Sequence, residues 1–188
     1  MAMLGMPMAG PRVRLAPFED AHVEPLRAAC AEDPEIWEIY PVSMVGAHFD
    51  PSLRFLRALP GWTMFAVFDG HGKEGAAGRL VGMTSYIPVP GADDAIEIGA
   101  TYIAPEVRGG PFNAEMKQLM IARAFAQGHA AIQFRIDTRN TGSRRAVEKL
   151  GAALVEVRTA DLTTWTGYVR DTAVYRLGSA PAPSNNSN

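Results

Sequence analysis

The chain has 188 residues, of which 47% are hydrophobic and 20% charged, and its formal net charge is -2 at pH 7. This composition predicts a globular domain with a real hydrophobic core and excludes a wholly disordered chain. The slightly negative charge gives no overall attraction to nucleic acid or to an anionic membrane. The single cysteine, Cys30, excludes an intramolecular disulfide. No apolar run approaches the roughly 20 residues that span a bilayer, so we expect a cytoplasmic protein without nucleic-acid or membrane partners.

Both ends of the chain are rich in residues that break regular structure. Residues 1–11 contain Met, Gly and Pro, and residues 178–188 contain Ala, Pro, Ser and Asn. We therefore predict a single domain at 12–177 between two flexible ends. The first end lacks the basic start and apolar stretch of a secretory signal.

The first half of the domain predicts a pair of helices and the start of a strand meander. In chain order we expect a strand at 13–17, a helix at 19–32 capped by Asp20, an irregular aromatic segment at 36–50, and a short helix at 51–59. A strand at 62–68, a glycine-rich hairpin loop at 69–78 and a returning strand at 79–87 follow.

The second half alternates strands and helices. We expect a central strand at 95–103, a helix at 113–127, a strand at 130–137, a helix at 141–150, and two final strands near 153–159 and 167–177. This order predicts an α/β fold with a mixed sheet and helices on both of its faces.

The most informative segment runs from Glu97 to Asn113. Its apolar first half predicts a strand, and Gly109 and Gly110 predict a tight turn before a helix begins. The start of a helix carries unpaired N–H groups and the positive end of the helix dipole. The segment therefore predicts a pyrophosphate-binding turn, although strand–glycine–helix turns are common in proteins generally.

A second segment, from Asp137 to Gly151, follows about 40 residues later. Asn140 is placed to cap a helix, Ser143 would stand in its first turn, and Gly151 would end it. Capping alone explains an Asn and a Ser at these positions. A capping residue can also contact a ligand, so both interpretations stay open.

Together the two segments resemble the GNAT superfamily of acyl-CoA-dependent N-acetyltransferases, and most nearly its RimJ/RimL branch, which is named for acetylating ribosomal-protein N-termini. Arg108 takes the first position of the family's Q/R-x-x-G-x-G/A motif, while Pro111 and Asn113 replace the glycine and the final G/A. Asn140 and Ser143 match the N-x-x-S of the second motif. The resemblance spans roughly residues 12–177 and implies a central mixed, mostly antiparallel sheet with acetyl-CoA as cosubstrate and no metal.

The resemblance also implies which residues bind the cofactor. They are Tyr102, Ile103, Arg108, Gly109, Gly110, Phe112, Asn113, Asn140 and Arg144. Proline has no N–H to offer a phosphate, so we expect Pro111 to weaken or rearrange pyrophosphate binding. Arg144 also stands four residues before Glu148, and an ion pair on the helix surface is an equally good explanation.

Glu97 is the candidate general base, because the resemblance places the base of the histone-acetyltransferase branch at this position. Even spacing predicts that Glu97, Gly99, Thr101 and Ile103 share one face of the strand, with Glu97 roughly 20 Å from Ile103. Burial would raise the pKa of the carboxyl toward neutrality. An exposed carboxylate or an ion-pair partner is the alternative.

Ser143 is the second candidate catalytic residue, since the resemblance implies that its hydroxyl faces the cofactor sulfur. Six aromatic or histidine side chains could line an acceptor pocket or simply fill the core, namely Trp37, Tyr40, His48, Phe49, Trp62 and Tyr86. Cys30 lies in an alanine-rich stretch, which favours a small buried residue over a nucleophile.

The sequence therefore predicts an N-acetyltransferase that moves an acetyl group from acetyl-CoA to a primary amine in a ternary complex. The acceptor stays open between small-molecule amines and peptide or protein N-termini, and a homodimer stays open too. A non-catalytic acyl-CoA-binding domain and an interaction module on the same fold are the rivals. A dinucleotide-binding domain is a weak third, because the glycines lack G-x-G-x-x-G spacing.

Overall fold

A computed structural model describes residues 3–70 and 78–178. These residues form one eight-stranded sheet in the order β1-β2-β3-β4-β5-β6-β8-β7. The strands are β1 Met8–Ala9, β2 Val13–Pro17, β3 Thr63–Asp69, β4 Leu80–Pro88, β5 Ala95–Ile103, β6 Ala131–Asp137, β7 Ala153–Thr163 and β8 Val169–Gly178. Neighbouring strands pair antiparallel except β5 and β6, which are parallel. The prediction of a mixed, mostly antiparallel sheet is confirmed.

Helices cover both faces of the sheet, as predicted. They are α1 Val23–Cys30, α2 Phe49–Ala58, α3 Phe112–Ala126 and α4 Thr141–Lys149. The aromatic segment between α1 and α2 contains short 3-10 helices at Glu35–Ile39 and Gly46–His48. We call this segment, residues 35–48, the α1–α2 linker.

Two apolar layers hold the helices onto the sheet, because burying apolar side chains is the main force that drives folding. On what we call the α3 face, α3 and α4 pack against side chains that include Ile96, Ile98, Ile132 and Phe134. On the opposite α1 face, α1, α2 and the linker pack over β3, β4 and part of β5, through residues that include Leu26, Trp37, Leu53 and Tyr102.

The central pair of strands separates partway along its length. Parallel pairing between β5 and β6 is confined to Ala95–Glu97 and Ala131–Gln133. β5 continues to Ile103 and β6 to Asp137 without pairing to each other. The sheet thus has a gap between β5 and β6 that opens toward the carboxyl ends of both strands. Crevices at the carboxyl ends of parallel strands are common ligand sites.

A bulge in β5 changes which face its side chains take. Ala100 has a φ of 46°, and the pairing with β4 shifts in register near this point. Ile98 packs on the α3 face, whereas Tyr102, four residues later, packs on the α1 face. An extra residue in a bulged strand produces this reversal.

The bulge corrects the prediction that Glu97, Gly99, Thr101 and Ile103 share one face. Glu97 precedes Ile98 in regular strand and so faces the α1 side, whereas Ile103 packs on the α3 face. Thr101 also turns to the α3 side, where its hydroxyl lies 2.8 Å from that of Thr84. Strict alternation failed because it assumes an unbroken strand.

Residues 3–11 were expected in a flexible end, and here the structure differs. Leu4 and Met8 are buried in the α3-face layer, and Met8 and Ala9 pair with β2. The Arg123 side chain of α3 donates hydrogen bonds to the carbonyls of Met3, Met6 and Pro7. Apolar side chains and satisfied carbonyls therefore fix this segment despite its glycine and proline. Residues 1–2, most of the predicted hairpin loop at 69–78, and residues 179–188 lie outside the described residues.

Candidate active site

The two segments singled out in the sequence meet at the open end of the gap. The turn after β5 leads into α3, and the turn after β6 leads into α4. Because β5 and β6 are parallel, the N-termini of both helices lie at the same edge of the sheet. A ligand that enters the gap from this edge therefore meets two helix N-termini, each with a positive dipole end.

The turn before α3 presents free backbone donors. Within the described residues, no carbonyl accepts a hydrogen bond from the N–H groups of Gly109, Gly110, Phe112 or Asn113. Gly109 has a φ of 75°, a conformation that other residues rarely adopt. A Cβ on Gly110 would contact nothing within 4 Å among the described atoms, so its surroundings are open enough for a ligand. These donors suit the charged oxygens of a pyrophosphate.

Pro111 is the N-cap of α3, with a helical φ of -75° and ψ of -10°. At this position the absent N–H breaks no helical hydrogen bond, and the Pro111 carbonyl accepts from the N–H of Glu115 at 2.9 Å. The proline therefore begins the helix well, and it removes one donor from the row that faces the open end.

The Arg108 side chain holds the turn before α3 in place through contacts with β5 and with the residues after α1. Its Nε donates to the Ile103 carbonyl at 2.8 Å, and its guanidinium forms an ion pair with Asp33, which follows α1. The resemblance implies that Arg108 binds the cofactor. In the structure its guanidinium ties the turn to β5 and to the end of α1.

Asn140 caps α4, as predicted from its position. Its side-chain oxygen accepts a hydrogen bond from the N–H of Ser143 at 3.0 Å. The Ser143 hydroxyl has no hydrogen-bond partner among the described residues, and the residue is half-buried. Ser143 thus keeps its hydroxyl available near the mouth of the gap.

Arg144 is engaged within the fold. Its Nε donates to the Tyr175 hydroxyl at 2.9 Å and its Nη1 to the Thr138 carbonyl at 3.2 Å. The Tyr175 hydroxyl in turn donates to Glu148 at 2.7 Å. The expected link between Arg144 and Glu148 therefore exists, but it runs through Tyr175.

Three predicted cofactor residues place their side chains in the core. Tyr102 is 1% exposed, donates its hydroxyl to the Ala29 carbonyl at 2.7 Å and stacks on Trp37. Ile103 and Phe112 are buried on the α3 face. Any contact between these residues and a cofactor would be made by their backbone groups.

Glu97 lies where β5 and β6 begin to separate and is only 4% exposed. Its Oε2 accepts a hydrogen bond from the Nε of Arg135 on β6, at 2.6 Å. Burial raises the pKa of the Glu97 carboxyl, and the Arg135 charge opposes part of that rise. Glu97 is therefore both buried and paired, so it combines the two interpretations that the sequence left open.

The second carboxylate oxygen points toward Gly99. A Cβ built on Gly99 would lie 2.7 Å from Glu97 Oε1 and 2.9 Å from the Ile87 side chain. Glycine at this position thus leaves room for the carboxylate beside the bulge. Oε2 is the oxygen that Arg135 holds, and a hydrogen bond from the Gln133 side chain also lowers the pKa of the Glu97 carboxyl.

The structure does not bring Glu97 and Ser143 together. Glu97 pairs in register with Gln133, and β6 runs on to Asp137, roughly 13 Å further at the usual rise of a strand. Ser143 follows on α4, on the α3 face, whereas Glu97 faces the α1 side. Only a long molecule that lies along the gap could touch both.

The aromatic side chains that could line a pocket or fill the core divide between these two roles. Trp37 and Phe49 are fully buried, and Tyr86 donates its hydroxyl to the Met120 carbonyl inside the core. Tyr40 donates to the Thr101 carbonyl of β5 at 2.7 Å, just beyond the bulge, and burial raises its pKa to about 12. Tyr40 alone of these four borders the gap.

Sequence reasoning missed the loop between β7 and β8. Trp165 in this loop donates its indole N–H to the Trp37 carbonyl at 2.7 Å, and its ring packs against His48. The loop and the α1–α2 linker therefore close together over the α1 side. The tryptophan within a polar turn was the signal that could have drawn attention to it.

Other predicted features carry no chemistry in the structure. Cys30 is fully buried and burial raises its pKa, which disfavours the reactive thiolate. In residues 3–70 and 78–178 no cluster of three His, Cys, Asp or Glu side chains is arranged to hold a metal. Over the same residues, no helix is both long and apolar enough to cross a membrane.

Residues 12–153 match the acetyltransferase (GNAT) domain family. The chain belongs to this family. The match includes the gap, Glu97 and both helix N-termini, and GNAT enzymes use acetyl-CoA as their acetyl donor. The GNAT assignment implied by the two motifs is therefore confirmed. No curated protein matches the sequence.

Solved structures agree with the GNAT assignment. A protein from T. thermophilus that is described as an acetyltransferase is 29% identical, with a TM-score of 0.78 over 92% of this chain and 88% of that one. A GCN5-related N-acetyltransferase from Brucella melitensis is 25% identical, with a TM-score of 0.79 over 93% and 79% of the two chains.

The RimL structure shares the fold at a greater distance. RimL, a ribosomal-protein acetyltransferase solved in complex with coenzyme A, is 12% identical, with a TM-score of 0.75 over 91% of this chain and 96% of that one. At this identity the likeness establishes a common fold. The RimJ/RimL branch within the GNAT family remains a prediction.

Proposed function

We propose that this GNAT protein transfers the acetyl group of acetyl-CoA to a primary amine by direct attack in a ternary complex. The observation that carries the proposal is the gap between β5 and β6, with free N–H donors of α3 at its mouth and a buried carboxylate at its closed end. A long phosphorylated cosubstrate fits this arrangement, because its phosphates need N–H donors and its reactive end needs a nearby base.

The mouth of the gap would hold the pyrophosphate. The N–H groups of Gly109, Gly110, Phe112 and Asn113 supply the donors, and the α3 dipole adds favourable charge. Beyond Glu97, the edge of β5 that faces β6 is unpaired, so its backbone groups can bond the amides of the pantetheine arm. Asn140 and Ser143 border the same mouth from the side of α4.

Glu97 is the proposed base. Burial raises the pKa of its carboxyl, and a higher pKa makes the carboxylate a better acceptor for the proton of an ammonium group. The neutral amine then attacks the thioester carbonyl, the C–N bond forms, and the C–S bond breaks. The departing thiolate takes the proton that the attacking nitrogen releases, and water in the open gap can carry it. Ser143, the donor that the resemblance implies, borders the mouth of the gap rather than its closed end.

A second candidate function is acyl-CoA binding without turnover. The ion pair between Arg135 and Glu97 favours it, because a carboxylate held by a guanidinium is a weaker base. Pro111 does not favour it, since the proline leaves the other donors of the turn free.

The test is to measure acetyl-CoA turnover on a panel of small amines, amino acids and peptides, together with calorimetric titration of CoA. We expect micromolar CoA binding and transfer to at least one amine. Binding without transfer to any amine would support the second candidate, and the absence of CoA binding would contradict both. Protein N-termini belong in the panel because of the predicted RimJ/RimL branch.

A further inference from the structure

The α1 side of the site contains a buried arginine that forms no ion pair with a carboxylate of the described residues. Arg170 is the second residue of β8 and is 6% exposed. Its Nε donates to the Thr172 hydroxyl at 3.0 Å. Among the described residues, no carboxylate forms an ion pair with its guanidinium.

Arg170 lies on the same face of the sheet as Glu97. Thr172 pairs in register with Asp137 of β6, and Val174 pairs with Arg135. Because side chains alternate along β8, Arg170 shares the face of Thr172 and of these β6 residues. Arg170 also has a small effect on Glu97, since its charge lowers the pKa of that carboxyl less than Arg135 and Gln133 do.

The carboxylates of Asp137, Asp161 and Glu97 act on the Arg170 charge without forming an ion pair with it. Glu97 is held by Arg135, and Asp137 binds the backbone N–H and the guanidinium of Arg139. Asp171 accepts from the backbone N–H of Ala160. No group of the described residues accepts a hydrogen bond from the Nη groups of Arg170, so these donors can serve a ligand.

Leaving such a group unpaired is costly. A guanidinium removed from water without an ion pair loses part of its hydration. Burial lowers the pKa of Arg170, and the charges of Asp137, Asp161 and Glu97 offset only part of that fall. A planar fork of N–H donors matches the geometry of a carboxylate, which is why arginine recurs in carboxylate-binding sites.

We infer that Arg170 binds a carboxylate carried by the acceptor, so that the preferred acceptor is an acidic amine. This inference rests on the proposed function, since it assumes that an amine reacts beside Glu97. The acceptor would place its amine at Glu97 and its carboxylate at Arg170, between the α1–α2 linker and the β7–β8 loop. Free amino acids and peptides with an acidic first residue both carry this chemistry.

Matched acceptors test the inference. We would compare kcat/KM for aspartate with asparagine, and for Asp-Ala amide with Asn-Ala amide, at saturating acetyl-CoA. The first pair samples free amino acids and the second samples peptides. The wild type should prefer the carboxylate member of at least one pair by about tenfold or more, the discrimination that one charge-assisted contact can give.

Arg170→Met should remove the preference by raising KM for the acidic acceptor, with little change for the neutral one. Since it also removes an unpaired buried charge, its thermal midpoint should equal or exceed that of the wild type. Arg170→Lys keeps the charge without the fork and should retain part of the preference. Arg54→Gln, an exposed arginine on α2, is the control for charge alone and should retain all of it.

Two results overturn the inference while leaving acetyl transfer intact. One is a wild type that acetylates amines but treats both members of each pair alike. The other is an Arg170→Met variant that keeps the wild-type preference. If no amine is acetylated although CoA binds, the proposed function fails. The inference is then decided by titrating aspartate and asparagine into the CoA complex: binding of aspartate alone, lost in Arg170→Met, supports it, and any other pattern overturns it.

Discussion

Arg135 Nε lies 2.6 Å from Glu97 Oε2, and it joins the two strands at the point where the sheet begins to open. The pair fixes one oxygen of the proposed base and leaves the other beside Gly99. It also balances burial, which raises the pKa of Glu97, against a neighbouring positive charge, which lowers it. Both effects can be tested separately.

Replacing Arg135 should move the pH dependence of the reaction. Without the Arg135 guanidinium, burial is opposed only by the weaker effects of Gln133 and Arg170, so the pKa of Glu97 rises further. In Arg135→Met, the acidic limb of the kcat profile should therefore move to higher pH. If the limb moves beyond pH 7, the rate at pH 7 should fall by roughly tenfold for every further pH unit. The acidic limb of Arg135→Lys should lie between those of the wild type and Arg135→Met. A profile that does not move would show that the pair does not tune the base.

Gly99→Ala should displace the Glu97 carboxylate. The new methyl would lie 2.7 Å from Oε1 and 2.9 Å from the Ile87 side chain, and both are ends of flexible side chains. We therefore expect a modest loss of stability, about 1–2 kcal/mol, with a fall in kcat of roughly 10–100-fold and unchanged CoA affinity. Gly178→Ala, where a Cβ contacts none of the described atoms within 4 Å, is the control. A fully active Gly99→Ala enzyme would contradict a role for Oε1.

Arg108 should act on the cofactor through the turn that it supports. Arg108→Ala removes the bond to the Ile103 carbonyl and the ion pair with Asp33, so CoA affinity should fall by about tenfold. Asp33→Asn distinguishes this role from direct phosphate contact. If Arg108 supports the turn, Asp33→Asn also weakens CoA binding. Unchanged or tighter binding would mean that the freed guanidinium reaches the phosphate.

Lys117 of α3 should lower the stability of the protein at neutral pH. It is 7% exposed, its ammonium lies 5.3 Å from the centre of the Phe134 ring, and no carboxylate pairs with it among the described residues. Burial lowers its pKa to about 8. The unfolded state therefore binds this proton more tightly, and the contribution of Lys117 to stability rises with pH from about 8 to about 10.

Lys117→Met tests this directly. The variant should be more stable than the wild type by about 1–3 kcal/mol at pH 7, and the difference should shrink as the pH approaches 10. Urea unfolding at several pH values measures it. Taking the difference between the two proteins cancels the titration of the buried tyrosines and of Cys30. A less stable variant at pH 7 would contradict the account.

The sequence predicted most elements because their signals are local. The strand at Ala95–Ile103 has the predicted bounds, and Asn140 caps α4 as predicted, because its side-chain oxygen accepts from a backbone N–H of the first turn. Glycine turns and apolar spacing carry this information within a few neighbouring residues. The sequence did not predict β1, because a strand of two residues is too short to show a periodic pattern.

The parts that the sequence could not predict depend on contacts between distant segments. The bulge at Ala100 is defined by pairing with β4, so alternation along β5 alone placed Ile103 on the wrong face. The partner of Glu97 stands on another strand, and Arg108 turned to Asp33. These ion pairs depend on which charged side chains tertiary packing brings close together, and the sequence around each residue does not show this.

The central claim is that Glu97 removes a proton from an amine held beside the gap. Its most direct test is the pH–rate profile of Glu97→Gln at saturating acetyl-CoA, with CoA affinity measured alongside. We predict a rate lowered by roughly 10²–10⁴ at pH 7, a smaller loss at high pH where the amine is already neutral, and unchanged CoA affinity. A Glu97→Gln enzyme with a wild-type rate across the whole pH range would contradict the claim.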